Sequence, residues 1–123
     1  MRALILLVEE DRLTRASICD MLKSLDYRVL GVSTFARALR LMLTNGIGFD
    51  ALILSVKGGW DGDPAYAAEA KAAQPEIKVI IASSLADRGQ NASLVDAYVP
   101  KPFILESVGE ALIKVLRHTC RQG

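Results

Sequence analysis

The sequence offers little to metal, membrane or nucleic-acid chemistry. It has one histidine, His118, and two cysteines, Cys19 and Cys120, which lie far apart and match no metal-ligand spacing. The thiols read as buried or incidental. No apolar run approaches the roughly 18 residues of a membrane span. The apolar start, Met1–Val8, is too short for a signal-peptide core and leads straight into Glu9-Glu10-Asp11. It reads as a strand, and the cytoplasm is the expected location. Neither charge dominates: 15 Lys and Arg stand against 14 Asp and Glu, for a net +1, with no basic cluster along one face. That argues against nucleic acid as a partner, which needs a concentrated basic footprint. Neither G-x-G-x-x-G nor G-x-x-x-x-G-K-[ST] occurs, so a small-molecule binder using the Gly58-Gly59 loop has no phosphate-cradling motif behind it.

What is present is apolar and periodic. Hydrophobic residues make up 51% of 123 residues and charged ones 24%, enough for one sizeable core in a single domain over 1–123. Ala3–Val8 is a continuous apolar run, as in a parallel strand covered on both faces. Thr14, Ile18, Met21, Leu22 and Leu25 recur at helical spacing. Arg28–Val32 is a second strand. Ser33 or Thr34 caps a helix with the apolar face Phe35, Ala38, Leu39, Met42 and Leu43, stopped by Asn45-Gly46. Ala51–Leu54, Lys78–Ala82 and Ala97–Val99 are the third to fifth strands. Asp63-Pro64 opens an alanine-rich helix over Ala65–Ala73. Leu85–Val95, interrupted by Gly89 and Asn91, holds at most a short helix. Leu105–Arg117 is the last helix, with Leu105, Val108, Leu112, Val115 and Leu116 inward and Glu110 and Lys114 outside.

Strands alternating with helices specify an α/β fold, a doubly wound five-stranded parallel sheet with right-handed crossovers. The flavodoxin-like strand order 2-1-3-4-5 puts the tips of strands 1, 3 and 5 side by side, where ligands sit in such sheets. It gathers Glu9, Glu10, Ser55, Ser83 and Lys101 around one crevice.

Five ordered motifs then carry a resemblance: ILLVEED at the first strand, FDALIL entering the third, WDG before the next helix, VIIAS ending in a hydroxyl, and AYVPKPF near the end. Together they resemble the receiver (response-regulator, CheY-like) domain of two-component phosphorelay signalling. The resemblance implies that Glu9 and Glu10 stand on the acidic pair that holds Mg²⁺. It puts Ser83 and Lys101 on the two phosphate contacts and Tyr98 on the switch aromatic. Lys101-Pro102 falls on the family's cis peptide.

The chain departs from that pattern where the chemistry would occur. The phosphoacceptor aspartate is Ser55, whose hydroxyl needs a general base that the motif set does not supply. Glu10 stands where the family has a direct aspartate ligand, and Mg²⁺ tolerates poor octahedral geometry badly. No cofactor is therefore expected, with at most weak Mg²⁺ binding at Glu9 and Glu10. Lys101 is left to pair with Glu9 or Glu10. The Ser83–Lys101 segment is about four residues shorter than the family's, and the loop after Ser55 about one. The reading is a degenerate or pseudo-receiver: a protein-interaction module, not an enzyme, acting without phosphorylation. Its partner would be a histidine kinase, another regulator, an effector or a second copy of itself. Tyr98, Pro100, Ile104 and Leu105 form the expected interface, with Trp60 as a further candidate. The alternatives are an active receiver using a substitute carboxylate, Asp61 or Glu10, and the small-molecule binder.

Overall fold

The computed structural model describes residues 2–44, 46–55, 64–83, 94–101 and 104–120. Its elements follow the order β1 (Leu4–Val8), α1 (Arg12–Ser24), β2 (Arg28–Val32), α2 (Phe35–Met42), β3 (Ala51–Ser55), α3 (Pro64–Ala73), β4 (Lys78–Ser83), β5 (Ala97–Pro100) and α4 (Leu105–Cys120). The five strands form one sheet in the order β2-β1-β3-β4-β5, and every pairing is parallel. This is the architecture expected from the alternation of strands and helices.

The central strands are buried on both faces, which is why they are unbroken apolar runs. One face, carrying Leu6, Val8, Leu52, Leu54, Val79 and Ile81, packs with Phe35, Ala38 and Met42 of α2 and with Ala67 and Ala70 of α3. The other, carrying Ile5, Leu7, Ile53, Ile80 and Val99, packs with Ile18 and Leu22 of α1 and with Val108, Leu112 and Leu116 of α4. Each large aliphatic side chain buried in this way contributes about 1.5–3 kcal/mol.

Acids and amides near the amino ends of the strands serve the fold. Asp50 Oδ2 accepts from the Leu4 N–H at 2.8 Å. Asp96 Oδ2 accepts from the Val79 N–H at 2.8 Å and from Lys71 Nζ at 3.0 Å. The Gln74 amide donates to the carbonyls of Met42 and Ile47 and accepts from the Phe49 N–H, which clips α3 to the chain entering β3. Thr34, one of the two expected caps, opens α2 by accepting from the Arg37 N–H.

Three side chains expected in the core are exposed. Leu43 follows the last turn of α2 as its C-cap, one step of helical rotation beyond the buried Met42, and is 63% exposed. Leu105 is the first residue of α4, ahead of Val108, and is 44% exposed. Thr14 turns outward because its hydroxyl donates to Asp11 Oδ2 at 2.7 Å. Strands β3, β4 and β5 each run one residue further than their apolar cores, to Ser55, Ser83 and Pro100. Trp60, Asp61, Asp63, the Gly58-Gly59 loop, the segment 84–93 and Pro102, with its peptide bond to Lys101, lie outside the described residues, as do the side chains of Ser83 and His118.

Candidate functional site at the strand tips

Sheet register builds the site. Val8 lies opposite Leu54, so the next residues, Glu9 and Ser55, face each other across the β1–β3 seam. Ser55 pairs with Ala82, and Ser83 with Pro100, so Lys101 follows directly at the end of β5. The Glu9 N–H donates to the Val32 carbonyl at 3.0 Å, continuing the strand one step past Val8.

The Glu9 side chain is only 2% exposed and is the one buried charged residue among those described. A carboxylate in such a place needs partners, since an unpaired buried charge costs several kcal/mol. Glu9 has three. Ser55 Oγ–H donates to Oε1. The Asp11 N–H donates to Oε2 at 2.9 Å. Lys101 Nζ lies 4.0 Å from Oε1, with its own side chain 20% exposed. The attraction across that gap is about 4 kcal/mol at an effective dielectric of about 20, before desolvation is subtracted.

The three acids after β1 play different parts. Glu9 enters the crevice. Glu10 is exposed. Asp11 is the N-cap of α1, its Oδ2 accepting from the Thr14 N–H at 2.8 Å and from the Thr14 hydroxyl. Among the described residues, no three His, Cys, Asp or Glu side chains group as a metal ion would require.

Two residues that sequence reasoning passed over hold this turn in place. Arg15 Nη1 donates to the Glu9 carbonyl at 2.9 Å and lies 3.5 Å from that of Glu10. Its stem crosses β2 at Gly31, where a Cβ would meet Arg15 Cγ at 3.1 Å and Cys19 Sγ at 3.0 Å. The available signals were a glycine inside a strand, which marks close approach, and a basic residue one turn into the helix. Burial pushes the Cys19 thiol pKa up, against the opposing pull of Lys23 and Arg15.

Beside the crevice, Tyr98 is half-buried against the core, Pro100 is exposed, and Ile104 and Leu105 are 49% and 44% exposed. An open hollow of about 410 Å³ lies along this edge, lined by Tyr98, Pro100, Ser107, Glu110, Ala111 and Lys114.

Solved structures share this architecture. A response regulator receiver domain (CheY-like) from Methylobacillus flagellatus superposes with a TM-score of 0.81 at 22% identity, covering 94% of this chain and 99% of that one. A receiver domain protein (CheY-like) from Methanospirillum hungatei JF-1 gives 0.82 at 20% identity over 100% of both chains. The response regulator protein TrrA from Thermotoga maritima, in complex with Mg²⁺-BeF, gives 0.79 at 20% identity over 93% of this chain and 99% of that one. The fold is that of a response-regulator receiver domain. No family model and no curated protein matches the sequence. At these identities the likeness is one of fold. No helix among the described residues is long and apolar enough to cross a membrane.

Proposed function

We propose that this chain is a receiver-fold signalling module that acts through protein contact and without an aspartyl phosphate. The observation that carries the reading is the Ser55 hydroxyl at the tip of β3, donating to the buried Glu9 carboxylate. An aspartate there would be ionised and attack phosphorus without losing a proton. A serine must surrender one; the acceptor within reach is Glu9, whose carboxylate is already engaged by the Asp11 N–H and faces Lys101. The serine phosphate ester, once formed, would not hydrolyse on the timescale of a resetting switch. Glu9 and Glu10 are then a degenerate acidic pocket, and Ser83 and Lys101 are phosphate contacts in position only. The module is not an enzyme, it works in the cytoplasm, and its partner is a protein of the same signalling class: a histidine kinase, another regulator, an effector or a second copy.

The contact surface we assign is the edge of Tyr98, Pro100, Ile104 and Leu105; Trp60, outside the described residues, is a further candidate on sequence grounds alone. Exposed apolar side chains next to an open hollow support that assignment. The test is exposure to Mg²⁺ and beryllofluoride with Trp60 fluorescence as the reporter. An unchanged spectrum is expected. A saturable change that requires both reagents would refute the reading.

A further inference from the structure

Both oxygens of the buried Glu9 carboxylate are occupied. Oε1 accepts from Ser55 and faces the Lys101 ammonium at 4.0 Å, and Oε2 accepts from the Asp11 N–H. The two acids that follow it do not complete a metal site, since Glu10 is exposed and Asp11 caps α1. Mg²⁺ asks for six oxygens in near-octahedral array at about 2.0–2.1 Å and gives up its own water reluctantly. The described residues do not fit the ion that the receiver resemblance implies. A positive charge already stands where its charge would act.

We infer that Lys101 is the resident cation of this crevice. Its ammonium, tethered at the end of β5, holds the position beside Glu9 that a divalent ion would otherwise take. It closes the site to metal while joining the tips of β1, β3 and β5. The inference rests on the proposed reading of Ser55 as a neutral group, because an aspartate there would compete with Glu9 for the ammonium. A divalent ion at Glu9 must either displace Lys101 or bind against its repulsion.

The test is a Mn²⁺ titration of the full chain without any phosphodonor, so its failure leaves the phosphorylation question untouched. Paramagnetic broadening of the Glu9, Glu10, Asp11 and Ser55 amides and the melting temperature are read for the wild type, Lys101→Arg and Lys101→Met. The wild type and Lys101→Arg should show no site-specific broadening and no shift in melting. Lys101→Met should melt lower, bind Mn²⁺ at least about tenfold tighter than the wild type, and regain stability as the ion saturates. That gain should vanish in the Glu9→Gln/Lys101→Met double variant. Saturable binding to the wild type as tight as to Lys101→Met would overturn the inference, and so would a folded Lys101→Met with no metal response. Should Lys101→Met fail to fold, the wild-type spectrum decides: site-specific broadening at Glu9 and Ser55 overturns the inference, and its absence upholds it.

Discussion

Replacing Ser55 with aspartate restores the residue type that the receiver resemblance implies, yet here it should damage the fold. The Ser55 hydroxyl donates to a carboxylate that is 2% exposed. Ser55→Asp removes that donor, and a hydrogen bond to a charged group is worth about 1.5–3 kcal/mol. It also sets two carboxylates about 3 Å apart, a repulsion of about 5 kcal/mol at an effective dielectric of about 20. Lys101, 4.0 Å from Glu9 Oε1, offsets much of this, because its attraction for the new charge is about 4 kcal/mol on the same scale. The expected net loss is about 2–4 kcal/mol, or roughly 6–20 °C in melting temperature for a domain of this size. Ser55→Ala, which loses only the bond, should cost about 1.5–3 kcal/mol. Urea unfolding followed by Trp60 fluorescence measures both. Ser55→Asp alone should also fail to label with acetyl phosphate, because the acidic pair and the loop after β3 differ from the receiver pattern as well. An aspartate variant as stable as the wild type, or one that labels rapidly, would refute this account of the crevice.

Three further outcomes follow from the same structure. Gly31→Ala should cost about 1–3 kcal/mol by overpacking, since its Cβ would meet Cys19 Sγ at 3.0 Å and Arg15 Cγ at 3.1 Å; thermal melting of Gly31→Ala/Cys19→Ala should show less than the additive loss. The native Cys19 thiol pKa is raised by burial, so the folded state holds that proton more tightly than the unfolded chain. Its contribution is therefore complete below the unfolded thiol pKa of about 8.5 and is lost as pH rises through the folded value; a pH series of urea midpoints should show this decline, and Cys19→Ala should remove it. Asp26 adopts φ 73°, a left-handed conformation that Asp tolerates better than most residues, so Asp26→Ala should lower stability by about 1 kcal/mol while Asp26→Gly holds or raises it.

The fold was legible because the information is local and repeated. Apolar runs at Ala3–Val8, Ala51–Leu54 and Lys78–Ala82 stop where the strands reach their tips, and short connections with right-handed crossovers leave few arrangements. The gathering of Glu9 and Ser55 was legible for the same reason, since register sets them side by side, while Lys101 reaches Glu9 from β5, on the far side of β4. What escaped was decided by single side chains. Asp11, the cap of α1, shows how a cap can draw an acid away from a site, and Thr14 is turned outward by the same carboxylate. Arg15 reads as an ordinary surface arginine until Gly31 is seen to leave room for its stem. The division of labour between Glu9 and Glu10 was equally hidden, because two adjacent acids look alike until one strand residue carries one of them inward.

The central claim is that the tip of β3 bears a neutral hydroxyl that does not accept a phosphoryl group. The most direct measurement is the intact mass of the wild-type chain after incubation with acetyl phosphate and Mg²⁺ at neutral pH. An unchanged mass is the predicted result; a stoichiometric gain of one phosphoryl group, at Ser55 or at a substitute carboxylate such as Asp61 or Glu10, would contradict it.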